Sequence, residues 1–325
     1  MNFATTYLGL ELKNPFVVGA SPFCDDLDMA RVLQDSGAAA LVMRSLFEEQ
    51  IAPKPRSAAA TKNIPRDPDL FPNYEEYQIA PDDYLRQITR LKQTVSIPVI
   101  ASLNGHHAGK WTDFSRQIER AGADAIELNF YQVVTDPGVA ADEIETEMLE
   151  MVNSVSGSVR IPIAAKISPF HTSVAQLAVA LELAGAAGVV VFNRFYQPDI
   201  SVDDVDVQSS LRLSDPGELL LRLRWLAILS PLLRCSLSAT GGVHTWSGAV
   251  KALLCGAHTV QLVSVVLKHG PHVLVSLLEG LEGWMRDHGY ASLDQFRGLL
   301  NHARCSDPAA YERANYIRVL QSWKL

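Results

Sequence analysis

Four times in this chain a helical pattern stops at a glycine-alanine pair and runs straight into a short apolar stretch. The sites are Gly37-Ala38-Ala39-Ala40, Gly122-Ala123-Asp124-Ala125, Gly185-Ala186-Ala187-Gly188 and Gly256-Ala257-His258-Thr259. A glycine just past a helix end takes the left-handed conformation that stops it, and small residues let helix and strand pack closely. One junction repeated along a chain implies one repeated unit, a helix feeding a strand. The apolar runs Phe16–Gly19, Ala39–Met43, Pro98–Ser102, Ala125–Asn129, Pro162–Ile167, Gly188–Phe192, Cys235–Ser238 and Thr259–Val263 read as strands. Helical patterns near 27–36, 82–94, 112–121, 141–155, 173–184, 216–230, 245–254 and 271–287 lie between and after them. Strands alternating with helices pair in parallel, and eight such units close into a (β/α)8 TIM barrel.

The rhythm is broken in few places. Thr6 to Leu12, with Gly9 at its centre, reads as an N-terminal β-hairpin. Long insertions run from Phe47 to Pro81 and from Arg194 to Leu213. Both leave the C-terminal ends of strands, where barrels carry their active-site loops, so both read as lids or interface arms. Residues 219–233 read as an outer helix, with Arg222, Arg224 and Arg234 on or near its polar face. The tail, about 288–325, reads as helices packed outside the barrel. The expectation is a single domain over 1–325.

At 48% hydrophobic residues the chain has ample material for such a core, and its net charge of −8 argues against a nucleic-acid footprint. Cys24, Cys235, Cys255 and Cys305 are scattered, with no metal-ligand or disulfide spacing, so no metal is expected. No signal peptide or membrane-length apolar run is read, which points to the cytoplasm.

A barrel strand alternates inward and outward side chains. Arg44, Asn129, Lys166 and Asn193 each stand at or near the end of a strand. A Lys or Arg in an apolar strand is costly without a partner or ligand, so their convergence on one mouth suggests a site. Glu127 shares a face with Asn129 one layer deeper, and reads as a buried counter-ion for Lys166 or Arg44. Ser238-Ala239-Thr240-Gly241-Gly242-Val243 puts two glycines at the turn after the seventh strand. Taken alone, that is either a tight turn or a phosphate cradle, the latter common at this place in barrels.

In order and spacing, several segments resemble the dihydroorotate dehydrogenase family, class 1 type: Asn14-Pro15-Phe16 through Ser21, Glu127-Leu128-Asn129, Lys166, Asn193, Thr240-Gly241-Gly242-Val243 and Gly256-Ala257 through Gln261-Leu262. The resemblance spans about residues 5 to 290. It implies FMN at the C-terminal mouth and hydride transfer to the flavin. By the same resemblance Ala20, Ser21, Arg44, Ser45, Asn129, Lys166 and Asn193 surround the flavin ring. Thr240, Gly241, Gly242, Val263 and Ser264 hold its phosphate. Arg44 stands where the family usually has lysine, and Asp215 where it usually has glycine. The resemblance also implies a homodimer and a small-molecule substrate. The chain begins at the barrel hairpin and shows no iron–sulfur ligand set, so neither a membrane-docking segment nor a built-in electron-transfer partner is expected.

The catalytic base does not carry over. The family has cysteine or serine where this chain has Gln132, and an amide cannot take a proton. The chain resembles a divergent subgroup of the family in this respect. Tyr131, His106 and His107 are the alternatives for proton transfer, and Lys166 completes the catalytic candidates. Asp67, Asn73 and Arg194 are the substrate candidates, with Arg44 and Arg194 suited to an anionic group. Three functions stay open. The first is an FMN-dependent oxidoreductase acting on a CH–CH bond of a small, anionic cyclic substrate, with dihydroorotate disfavoured by Gln132. The second is an FMN-binding protein without dehydrogenase activity. The third is a non-flavin sugar-phosphate barrel enzyme using Lys166 as a Schiff-base amine.

Overall fold

Each of the four glycine-alanine junctions closes in the same way. In the computed structural model, which describes residues 1–48, 80–105, 108–194, 196–208, 211–308 and 315–323, Gly37, Gly122, Gly185 and Gly256 have φ of +114, +101, +110 and +109°. The N–H of the following alanine reaches back to the last turn of the helix: Ala38 to Leu33 O, Ala123 to Ile118 O, Ala186 to Leu181 O and Ala257 to Ala252 O, at 2.9 to 3.3 Å. This is the Schellman arrangement, which satisfies the last helical carbonyls and turns the chain into the next strand.

The chain opens with the antiparallel pair β1 (Thr5–Tyr7) and β2 (Leu10–Leu12). Leu8 and Gly9 both have positive φ, as a two-residue hairpin turn requires. Next come β3 (Phe16–Val18), α1 (Leu27–Asp35), β4 (Ala40–Val42), the short β5 (Leu46–Phe47), α2 (Pro81–Thr94), β6 (Val99–Asn104), α3 (Ala108–Ala121), β7 (Ala125–Asn129), α4 (Ala141–Ser156), β8 (Ile163–Ile167), α5 (Val174–Leu183) and β9 (Gly188–Val191). A small antiparallel hairpin, β10 (Asp199–Ser201) with β11 (Asp206–Gln208), lies in the second insertion. Then follow α6 (Leu219–Leu229), β12 (Ser236–Thr240), α7 (Trp246–Leu254), β13 (Thr259–Leu262), α8 (Ser264–His269), α9 (Val273–Asp287) and α10 (Asn315–Gln321).

The barrel strands run in the order β4-β3-β13-β12-β9-β8-β7-β6, all parallel, and β4 also pairs with β6. That last pairing closes a (β/α)8 barrel. Local chemistry starts its helices. Asp26 accepts from the N–H groups of Asp28 and Met29 to cap α1, and Thr245 accepts from Gly248 N to cap α7. In α2, Pro81 opens the first turn and Tyr84, Ile88 and Leu91 form the buried stripe.

Inside and outside alternate cleanly. Phe16, Val18, Leu41, Val99, Ala101, Leu128, Ile163 and Leu237 pack outward with the helices in one core. Val17, Ala40, Val42, Ile100, Ala125, Ala164 and Val190 pack with Tyr7, Leu8 and Leu12 of the hairpin in a second, inner core. The hairpin thus closes the N-terminal end of the barrel. Leu8 N donates to Ser236 Oγ at 3.0 Å, at the very start of β12. One layer higher the interior turns polar: Ser102, Glu127, Lys166, Ser238, Thr259 and Gln261 are all buried.

The helix near 216–230 begins later than the pattern suggests. Asp215 accepts from Gly217 N, Pro216–Glu218 form a tight 3-10 turn, and α6 starts at Leu219. Arg222 is a correction to the reading of its helix. It is 5% exposed, not on the polar face, because its guanidinium bonds inward to Thr240 O and Glu218 O. Beyond α9 the chain packs through short turns: Leu293 and Phe296 are buried, and Phe296 meets Trp284 edge-on at 5.0 Å. In α10, by contrast, Tyr316, Ile317, Val319 and Leu320 are exposed.

Candidate active site

The polar interior layer opens upward into a cavity of about 390 Å³ at the C-terminal ends of the strands. Its floor is built by Lys166 from β8 and Gln261 from β13. Lys166 is 7% exposed and its Nζ lies 3.2 Å from Glu127 Oε1. Gln261 Nε2 donates to the other carboxylate oxygen, Glu127 Oε2, at 2.6 Å. A carboxylate only accepts, so this bond fixes which way the Gln261 amide faces. Glu127 is therefore the buried counter-ion of Lys166, not of Arg44, and it orients a second floor residue as well. Arg44 turns outward to Asp25 Oδ2 at 3.3 Å. Beneath the floor, burial and then Glu127 push the Tyr7 phenol well above its ordinary range.

The two asparagines are held by different partners. Asn129 Nδ2 donates to Ser45 Oγ at 3.2 Å, and Ser45 shares a 2.7 Å hydroxyl contact with Ser102. Asn193 Nδ2 donates to the carbonyls of Phe130 and Lys166 at 3.0 and 3.3 Å. At the far side stands the glycine turn, with φ of +89° at Gly241 and +80° at Gly242. A Cβ on Gly242 would come within 2.4 Å of Leu219 N, and one on Gly241 within 2.9 Å of Arg222 Nη2. Gly242 has no room for a side chain, and at Gly241 one would be strained by the positive φ and would have to displace the Arg222 guanidinium. Ser214 closes this end. Its Oγ accepts from Gly242 N at 3.3 Å, and its N donates to Ser264 Oγ at 3.0 Å.

Ala20, Ser21, Arg44, Ser45, Asn129, Lys166, Asn193, Thr240, Gly241, Gly242, Val263 and Ser264, the cofactor set read from the sequence, all line this one cavity. Tyr131 and Arg194 line it too. Tyr131 Oη donates to Tyr196 O at 3.2 Å, and burial raises its phenol above the ordinary value. Arg194 Nε lies 3.4 Å from Glu218 Oε1, with the guanidinium over the Tyr196 ring. Gln132 does not join them. It is exposed and lines a neighbouring cavity of about 450 Å³, beside Phe130, Met148 and the His171–Glu145 pair. Asp67, Asn73, His106 and His107 lie outside the described residues.

Sequence reading missed Ser214, Gln261 and Asn104 as cavity residues. Gln261 carried a signal, being a polar side chain on the inward face of an apolar strand. Ser214 carried none, because its role depends on a loop folding back onto the glycine turn. Asp215, which stands where the family usually has glycine, accepts from Gly217 N to cap the turn that follows and is exposed.

The donor and acceptor pattern fits a flavin mononucleotide. Ser21 Oγ and Asn129 Oδ1 are buried polar atoms of cavity-lining residues with no hydrogen-bond partner among the described residues, and a ring bearing both donors and acceptors would satisfy them. The phosphate end would meet the glycine turn.

A closed (β/α)8 barrel with a buried lysine, two positioned asparagines and a glycine cradle at its C-terminal mouth defines a cofactor-binding barrel of the flavoprotein kind. The chain belongs to the dihydroorotate dehydrogenase family, whose model matches residues 2–285. Members of that family are FMN-dependent flavoproteins. The NAD-dependent dihydropyrimidine dehydrogenase subunit PreA of Escherichia coli K12 is 24% identical, covering 93% of this chain and 77% of the relative. A putative dihydroorotate dehydrogenase A (fumarate) of Aeropyrum pernix is 28% identical, over 91% of this chain and 96% of the relative. The catalytic subunit of dihydroorotate dehydrogenase B (NAD(+)) of Pyrococcus abyssi is 25% identical, over 90% and 96%. The chain is thus a flavin oxidoreductase of this family. Among its described residues no helix is long and apolar enough to cross a membrane.

Proposed function

We propose that this chain is an FMN-dependent oxidoreductase that moves a hydride between the flavin and a CH–CH bond of a small ring of the dihydropyrimidine type. The observation that carries the reading is the gathering of the whole expected cofactor set around one cavity with an ion-paired lysine in its floor. When bound, FMN supplies the two-electron acceptor that no side chain provides. The protein's share is placement and protons. Glu127 holds Lys166 as a fixed cation at the cavity floor. Ser45 and the backbone carbonyls of Phe130 and Lys166 fix the two asparagine amides.

The proton-handling group is Tyr131. It lines the cavity, whereas Gln132 lines the neighbouring one and could not accept a proton in any case. Burial raises the Tyr131 pKa, so the phenol is a weaker acid but keeps its proton at neutral pH; it is no base there, and its Oη carries a proton that a strongly basic carbanion could take in the reductive direction. Of the two guanidinium groups suited to an anion, Arg44 is paired with Asp25, and Arg194 shares Glu218 with Arg222. The reading therefore rests on the ring and not on a carboxylate.

Purified protein should show flavin absorbance, and after anaerobic photoreduction it should be reoxidised by an unsaturated ring such as uracil or orotate. Tyr131→Phe should slow that step about a hundredfold while leaving FMN bound. A protein that neither retains nor binds FMN would sink the proposal. Steady-state turnover of dihydroorotate with fumarate, NAD or a dye at ordinary enzymatic rates would remove Tyr131 and the reductive direction from it.

A further inference from the structure

Arg222 is buried against the glycine turn and does not line the cavity. Its Nε donates to Thr240 O at 3.0 Å and its Nη1 to Glu218 O at 2.8 Å. In a trans peptide the C=O and the next N–H point in opposite directions. With Thr240 C=O turned to Arg222, the N–H of Gly241, a residue that lines the cavity, is turned the other way, away from Arg222. The guanidinium thus sets the direction of a donor that it never touches.

Among the described residues the charges around Arg222 do not balance. Its Nη2 lies 3.4 Å from Glu218 Oε2, and Glu218 Oε1 lies 3.4 Å from Arg194 Nε. Two guanidinium groups share one carboxylate, which leaves one positive charge over. Burial, opposed by Glu218 and reinforced by Arg194, lowers the pKa of the Arg222 guanidinium from its ordinary value, as an under-compensated buried cation should. Such a charge is expensive to keep in a fold unless an anion joins it.

We propose that Arg222, Glu218 and Arg194 form an electrostatic anchor for the phosphate end of the cofactor, with Arg222 acting as a positioning residue through the Gly241-Gly242 turn. The proposal rests on the flavin reading above, and it assigns Arg194 to the cofactor's phosphate end instead of to a substrate carboxylate. A phosphate dianion at the turn meets the leftover charge across a single peptide unit, in a setting where screening by salt is weak. The packing agrees. A Cβ on Gly242 would come within 2.4 Å of Leu219 N and 3.0 Å of Glu218 C, so the turn packs closely on the start of α6 and on the residue that carries the shared carboxylate.

The test compares the affinities of apoprotein for FMN and riboflavin, which share the ring and differ in the phosphate. Arg222→Met should cut the preference for FMN about tenfold and Arg194→Gln about fivefold, with riboflavin affinity unchanged in both. Arg222→Lys, which keeps the charge but loses the planar fork, should fall between wild type and Arg222→Met. If Arg222→Met does not fold, Arg194, whose side chain is less buried than that of Arg222, still gives the answer. Equal loss of both ligands, or an unchanged ratio, would reduce Arg222 to a tie between α6 and β12 and overturn the anchor. Should wild type bind neither flavin, inorganic phosphate separates the two failures. A phosphate-induced rise in melting temperature that Arg222→Met abolishes keeps the anchor and discards the flavin, and no rise discards both.

Discussion

Glu127 accepts from Lys166 on one oxygen and from Gln261 on the other while it is only 1% exposed. Removing one member of a buried pair leaves the other charged and unpartnered. Glu127→Leu should therefore destabilise the protein by about 3–5 kcal/mol, read as a lower urea midpoint at unchanged slope. The double change Glu127→Leu with Lys166→Met should recover most of that loss, because an apolar pair needs no desolvation to be repaid. His258 makes a second prediction. Its Nδ1 accepts from Leu237 N at 3.0 Å, so the folded state needs the neutral ring, and burial pulls its pKa down to about 4. A folded pKa below the unfolded one means that stability is full above about pH 6.5 and is lost as pH falls toward 4. His258→Asn should flatten that part of the pH–stability curve. Both residues were in view in the sequence, but only Glu127 announced a role. A carboxylate on the inward face of a strand needs a cation, whereas nothing in Gly256-Ala257-His258 says that the imidazole will cap a neighbouring strand.

At the scale of elements, local chemistry carried most of the information. Glycine C′ positions, proline at N1 and Asp or Thr caps fixed where helices begin and end, because those effects act within a few residues. Strand ends were harder to read. β12 was expected to stop at Ser238 but runs to Thr240, since Ala239 and Thr240 pair with Val260 and Gln261 of β13. That extension brings the glycine turn up against α6. Gly242→Ala should consequently abolish FMN retention and lower stability, for the new Cβ would meet backbone atoms that cannot rotate away. Purification of a yellow, equally stable Gly242→Ala protein would contradict this packing. The N-terminal hairpin shows the opposite balance. Its turn was legible from Gly9, but not its place inside the barrel, where Tyr7, Leu8 and Leu12 fill the space beneath the polar layer.

For the whole molecule, the cofactor cavity draws on residues from Ala20 to Leu267, so binding there ties together strands from every part of the barrel. FMN at about a hundred times its dissociation constant should add about 2.7 kcal/mol and raise the melting temperature by about 5 °C. A differential scan with and without FMN measures this, and a shift equal to that given by free phosphate would show that the ring contributes nothing. The sequence by itself determined the barrel and many of the polar residues at its mouth, though not Ser214, Gln261 or Asn104. Helix ends, alternation and polar residues at strand termini are short-range signals, and eight repeats of them leave one closed solution. Only the tertiary structure decided how the charges pair. Glu127 meets Lys166, Arg44 meets Asp25, and one Glu218 is divided between Arg194 and Arg222. The reason is physical. A charged side chain takes whichever partner the closed barrel brings within a few ångströms, and that proximity exists only once distant strands and loops are packed together.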